Sequence, residues 1–241
     1  MKILIVRHAE PDYAIDGLTE KGKKEAQFLA ERLEKENIKT VYCSVFGRAR
    51  LTAEPTLKRI NKCAEYCEWL REFEYADVKL PYEDGKGYCW DIQPYYMDTL
   101  PEIYSPYTWM NTDFVKNSKM YFHYQNVVNE FDKLLLKHGY RREGYNYRVE
   151  NSNHDVIVLF CHFGVEAVLL SHLMNCSPYT IWQHACCLPS SVTTIYTEER
   201  VQGIASFRAT QIGDLSHLYA KGEENSFFAR WCECFNDKER H

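Results

Sequence analysis

No stretch of this 241-residue chain approaches the length of an apolar membrane span. Only four apolar residues follow Lys2, far short of a secretory signal's hydrophobic region, so none is expected. There is no long basic run, and the formal net charge is −5, which argues against nucleic acid or an anionic membrane as the main partner. A glycine-rich nucleotide loop is missing, which disfavours ATP-dependent transfer. The ten cysteines form no paired C-x-x-C clusters: Cys63 and Cys67, Cys186 and Cys187, and Cys232 and Cys234 lie apart. A zinc site is therefore not expected, and without a secretory signal the thiols are expected to be reduced, in a cytoplasmic setting. No repeat and no low-complexity segment occurs.

What is present suits one large α/β domain: 45% hydrophobic residues, enough to bury a core, with 26% charged. Lys2 to Val6 is a short β-branched run, apolar on both faces, and predicts a strand buried in a parallel sheet. Thr19 reads as an N-cap, and Ala26, Leu29, Ala30 and Leu33 recur at helical spacing, predicting a helix from Glu20 to about Glu36. Lys39 to Cys43 predicts a second strand, followed by a helix containing Pro55, and Ala64 to Phe73 a further extended segment. From Glu74 to about Ser118, tyrosines and tryptophans crowd among Pro81, Pro94, Pro101 and Pro106, which predicts an insertion of loops and short helices, not a second domain. Trp90 and Asp91 mark its densest spot.

A helix is expected from about Asp113 to Gly139, then a polar loop over Tyr140 to His154. Arg141, Arg142 and Arg148 in that loop are candidates for a distal substrate phosphate, against the commoner role of solvated loop residues. Asp155 to Cys161 is the strongest strand, with a helix from Val165 to Met174 after it. Ser191 to Thr197 and Val201 to Gln211, separated by Glu198 to Arg200, predict a hairpin. A short helix is expected near Phe227 to Cys234. Alternating strands and helices predict a three-layer α/β/α sandwich with a mostly parallel sheet.

His8, Arg48, Glu72 and His162 each fall just past the end of an expected strand or extended run, with Arg7 beside His8. Ligands of open α/β sheets bind at the carboxyl ends of strands, so these residues would converge. Arginine forks match phosphate oxygens and stay charged. A neutral histidine can attack phosphorus while a charged one binds the phosphoryl oxygens, and a carboxylic acid can protonate the leaving oxygen and then activate water. The set implies phosphoryl transfer without a metal.

RHAE, LTEKGKKEA, SVFGRARLTA, WLREF and FCHFGVEAVLL resemble, in order, five motifs of the histidine phosphatase superfamily, the phosphoglycerate mutase-like fold. The likeness spans residues 1–73 and about 155–212. It implies a single domain over 1–241, capped by the insertion of about 74–118. It implies Arg7, Arg48 and His162 as phosphate ligands, His8 as the nucleophile that becomes phosphohistidine, and Glu72 as general acid and base, with Glu74 as the fallback. Ala9 and Phe163 stand where the family usually carries glycine; Pro11 and Asp12 stand where mutase-like members often carry Ser or Thr and then Asn. The implied activity is metal-independent hydrolysis of a small phosphomonoester, with no cofactor. The alternatives are a mutase, which would re-donate the phosphate, and a non-catalytic phospho-ligand binding module.

Overall fold

The computed structural model describes residues 1–73, 78–79, 86–226, 232–234 and 236–240. Its centre is an eight-stranded sheet made of β1 (Lys2–Arg7), β2 (Ile38–Ser44), β3 (Ala64–Cys67), β4 (Tyr140–Glu143), β5 (Asn146–Val149), β6 (Val156–Cys161), β7 (Val192–Val201) and β8 (Ile204–Asp214). The spatial order is β3-β2-β6-β1-β7-β8-β5-β4. The first four strands form the expected parallel core, and the other four extend it antiparallel.

Side chains alternate between the two faces of the core strands. Leu4, Val6, Val41, Val158 and Phe160 pack beneath α1 (Glu20–Leu33) and α2 (Gly47–Ile60). Ile3, Ile5, Tyr42, Ile157 and Leu159 join the opposite cluster with α3 (Met120–Lys137), α4 (Phe163–Met174) and α5 (Pro178–His184). Each fully buried aliphatic side chain contributes roughly 1.5–3 kcal/mol, so both layers are held mainly by these rows. Cys89, Ile92, Met97, Ile103 and Trp109 of the aromatic segment belong to the second cluster.

The motif glutamate Glu10 is a brace. Its carboxylate accepts from the Thr19 hydroxyl at 2.8 Å and from Ser226 at 2.7 Å, while Thr19 caps α1 by accepting from Gly22 N at 3.0 Å. Beneath it the fully buried Glu25 accepts from Glu10 N at 2.9 Å, and burial pushes its carboxyl from 4.5 up to about 7. The folded chain thus holds a proton that the unfolded chain releases, and stability falls as pH rises from about 4.5 to about 7. Glu25→Gln is expected to remove that loss, an effect on the order of 3 kcal/mol. In calorimetry at pH 8 and pH 4.5, the variant's thermal midpoint should gain on wild type only at pH 8.

Three expectations are corrected. The segment after Gly139 is the β4–β5 hairpin rather than a loop; it buries only Tyr140 and Tyr147, against Phe207, and so shows no apolar run. The β7–β8 turn falls at Gln202 and Gly203 rather than at Glu198 to Arg200, because Glu198 lies within β7, paired to Arg208 across the ladder at 2.7 Å, while Gly203 supplies φ +80°. Cys232–Cys234 is a strand paired with Asp237–Arg240, not the end of a helix; residues 227–231 lie outside the described residues. Among the described residues no helix is long and apolar enough to cross a membrane.

Candidate active site

Register brings the site together. β1 and β6 pair in parallel with Arg7 opposite Cys161, so His8 and His162 emerge side by side, with His8 N donating to Cys161 O at 3.0 Å. Their ring centroids are 5.0 Å apart. β2 aligns Cys43 with Phe160, which carries Ser44 to the same edge, and its Oγ lies 2.8 Å from His162 Nε2. β3 ends at Cys67, and the short turn of 3-10 helix Glu68–Leu70 then delivers Arg71 and Glu72.

The His8 ring is fixed in one tautomer. Nδ1 lies 2.8 Å from the Ala9 carbonyl, which can only accept, so Nδ1 carries the proton and Nε2 keeps its lone pair. Burial, with the Arg7 and Arg48 charges, holds His8 well below its ordinary 6.5, hence neutral. Ala9 is tolerated because its backbone is ordinary; its N–H donates to Thr52 Oγ1 at 2.9 Å, and Thr52 donates to Arg48 O at 2.7 Å.

Arg7 donates to Cys187 O at 2.6 Å, and Arg48 pairs with Asp16 at 2.7 Å. Arg7 Nε, Arg48 Nε and His162 Nδ1 are buried without a hydrogen-bond partner among the described residues. Leaving such donors unmade is costly, and an anion with several acceptor oxygens would satisfy them. Asp16 and Ser44 were not singled out from the sequence as site residues. Ser44 heads the quoted serine–arginine–threonine motif; Asp16 had no sequence cue, because its role depends on a left-handed turn (φ +47°) that aims its carboxylate at Arg48 and at Gly47 N, 2.6 Å away. A side chain on Gly47 would meet the Asp16 carbonyl at 2.2 Å, so glycine is required there.

One electrostatic expectation changes. His162 is driven well below 6.5 by burial first, then by His8, Arg48 and Arg7, so in the free protein it is neutral rather than the imidazolium expected. Ser44 can donate to Nε2, leaving Nδ1–H as a neutral donor.

Glu72 sits over the first turn of α4. Its Oε1 accepts from Phe73 N and Gly164 N, each at 2.8 Å, and from Val165 N at 3.3 Å. Burial nonetheless dominates and raises its carboxyl above 4.5, against Arg7 and these donors. Phe163, in place of the family glycine, is buried with its ring 5.5 Å from the Arg7 guanidinium, and Trp90 meets it edge-on at 5.6 Å. A Cβ on Gly164 would lie 2.3 Å from Trp90 Cζ3 and 2.7 Å from Glu72 Oε1. Gly164→Ala is therefore expected to displace Glu72 and lower kcat on the order of 10²-fold. An unchanged thermal midpoint with unchanged kcat would show that the carboxylate does not depend on this contact.

Other candidates lie elsewhere. Arg142 donates to Tyr147 and Asn175, Arg148 pairs with Glu143 and Arg141 with Glu150. All three sit on the β4–β5 hairpin or its flank, at the far edge of the sheet, because Arg142 is consumed in anchoring the hairpin. Asp91 is exposed, and Glu74 lies outside the described residues. Among the described residues no group of three or more His, Cys, Asp or Glu is placed to hold a metal ion.

Residues 3–86 match the family model of the histidine phosphatase superfamily, branch 1. That matched segment holds Arg7, His8, Arg48 and Glu72, and His162 joins them from outside it. A curated relative, "Probable phosphatase C1687.21" of Schizosaccharomyces pombe, is 26% identical over 232 residues, covering 90% of this chain and 95% of its own. Among solved structures, a phosphoserine phosphatase from Entamoeba histolytica bound to phosphoserine superposes with TM-score 0.56 at 17% identity, covering 90% of this chain and 98% of that one. A mycobacterial glucosyl-3-phosphoglycerate phosphatase gives 0.53 at 16%, covering 88% and 98%. These structures share the three-layer fold.

Proposed function

We propose that this protein hydrolyses a small phosphomonoester through a phosphohistidine on His8. The observation that carries the reading is the His8 tautomer: Nδ1 held by the Ala9 carbonyl at 2.8 Å, with the Nε2 lone pair left for attack. Nε2 forms a bond to phosphorus as the bond to the leaving oxygen breaks, and Glu72, whose carboxyl burial raises above 4.5, passes its proton to that oxygen. Arg7, Arg48 and the neutral His162 N–H stabilise the charge on the transferring group, and Asp16 holds Arg48 in place. The Glu72 carboxylate then takes a proton from water, whose oxygen displaces Nε2 from phosphorus. The relatives and neighbours named as phosphatases support hydrolysis as the reaction class. The segment of about 74–118 caps this site as part of the same domain, a reading supported by its residues in the sheet's apolar cluster.

The test is an alkaline denaturing quench during turnover of a phosphomonoester in the presence of chelator, followed by mass spectrometry. An acid-labile phosphate on His8, with phosphate released to water, is expected. A phosphate that instead moves between hydroxyls of one hydroxy acid faster than it is released would overturn the hydrolase in favour of a mutase.

A further inference from the structure

The floor of the site is polar and buried, with His8 only 1% and His162 0% exposed, while the exposed rings of Tyr13 and Tyr88 lie near it. Tyr88 and Trp90 stack almost perfectly parallel, ring centroids 5.1 Å apart at 2°. Trp90 Cζ3 and Glu72 Oε1 lie 2.3 and 2.7 Å from one and the same point above Gly164, so the indole edge and the acid are within about 5 Å of each other. Trp90 therefore stands directly beside the acid. On the other side Tyr13 lies with its ring 5.4 Å from the Arg48 guanidinium and is 59% exposed. Burial raises the Tyr13 hydroxyl, and the charges of Arg7, Arg48 and Glu72 and the Tyr88 phenol also act on it.

Each cation here already has one partner, and the unpaired Nε donors of Arg7 and Arg48 are those assigned above to the phosphate. Arg7 holds a carbonyl, Arg48 holds Asp16, and Arg71 lies on Phe46 with its guanidinium 4.6 Å from the ring centre. Arg71 also reaches Glu68 at 3.3 Å, an exposed pair of little strength. Among the described residues the rim therefore offers ring faces, with Arg71 only weakly paired beside them. Large exposed aromatic faces beside a buried polar site suit a planar partner, since stacked rings gain beyond the area they bury.

Resting on the hydrolase reading above, we infer that the leaving group of the substrate carries a planar, aromatic ring that enters between Tyr13 and the stacked Tyr88–Trp90 pair. The substrate class is thus the phosphomonoester of an aromatic or arylmethyl alcohol, distinct from the phosphoserine bound by one structural neighbour.

The experiment compares benzyl phosphate with cyclohexylmethyl phosphate, whose alcohols are alike in size and leaving ability, and adds phosphoserine as the acidic arm. Wild-type kcat/KM is expected to favour benzyl phosphate about 10-fold, with that ratio falling toward one in Tyr88→Leu and in Tyr13→Leu. Equal wild-type values, a preference for phosphoserine, or a ratio that both variants leave intact would overturn the inference while leaving hydrolysis standing. Binding of benzylphosphonate against cyclohexylmethylphosphonate, followed by calorimetry, reads the same preference without turnover. Absence of hydrolysis with tighter benzylphosphonate binding would sink the hydrolase reading and keep the ring; equal phosphonate affinities would sink the ring whatever the catalysis.

Discussion

Replacing His8 with alanine is expected to lower phosphate release roughly 10⁴-fold or more and to abolish the trapped phosphoenzyme. The size of the effect follows from what the ring does. In the proposed mechanism it is the nucleophile in the first step and the leaving group in the second, so neither half-reaction has a substitute. The tautomer is set by backbone at Ala9, and the neutral state by burial with Arg7 and Arg48. The fold should survive, because the strands beneath are held by the aliphatic rows of both faces. The check is single-turnover kinetics with a thermal midpoint measured in parallel. A folded His8→Ala protein that still releases phosphate at near wild-type rate would remove the phosphohistidine from the mechanism.

Glu72→Gln is expected to cost 10²–10⁴-fold on an alkyl phosphate and much less on an aryl phosphate, whose leaving oxygen needs no proton. The pH dependence carries the sharper test. Burial raises the Glu72 carboxyl, so its active, protonated form persists to higher pH than an ordinary carboxyl would, and kcat/KM falls as pH rises through that value. His8 is shifted the other way, so the neutral nucleophile persists to well below pH 6.5. The profile for an alkyl substrate, corrected for the substrate's own ionisation, should be bell-shaped, and Glu72→Gln should erase its basic limb alone. The amide can still accept the Phe73 and Gly164 N–H groups through its oxygen, so the variant should stay folded. A basic limb that persists unchanged would assign the general acid to another residue.

The linear order of residues by itself determined the parallel core and the polar kit. Strands apolar on both faces, such as Lys2–Arg7 and Val156–Cys161, announce themselves as uninterrupted runs, and a polar residue at the end of such a run has one place to go. That is why Arg7, His8 and His162 could be named before their distances were known, while Arg48 and Glu72 rested more on the motifs SVFGRARLTA and WLREF. The β4–β5 hairpin was illegible because two buried tyrosines among charged neighbours carry too little period to be seen. Tertiary structure alone decided the electrostatics. Protonation depends on desolvation and on charges many residues away, so only the fold could lower His162 and raise the Glu72 carboxyl. It alone placed Asp16 on Arg48, through a left-handed turn, and the Tyr88–Trp90 stack beside Glu72, through the close approach that Gly164 permits. Such contacts join segments distant in the chain, and spacing along a sequence holds no record of them.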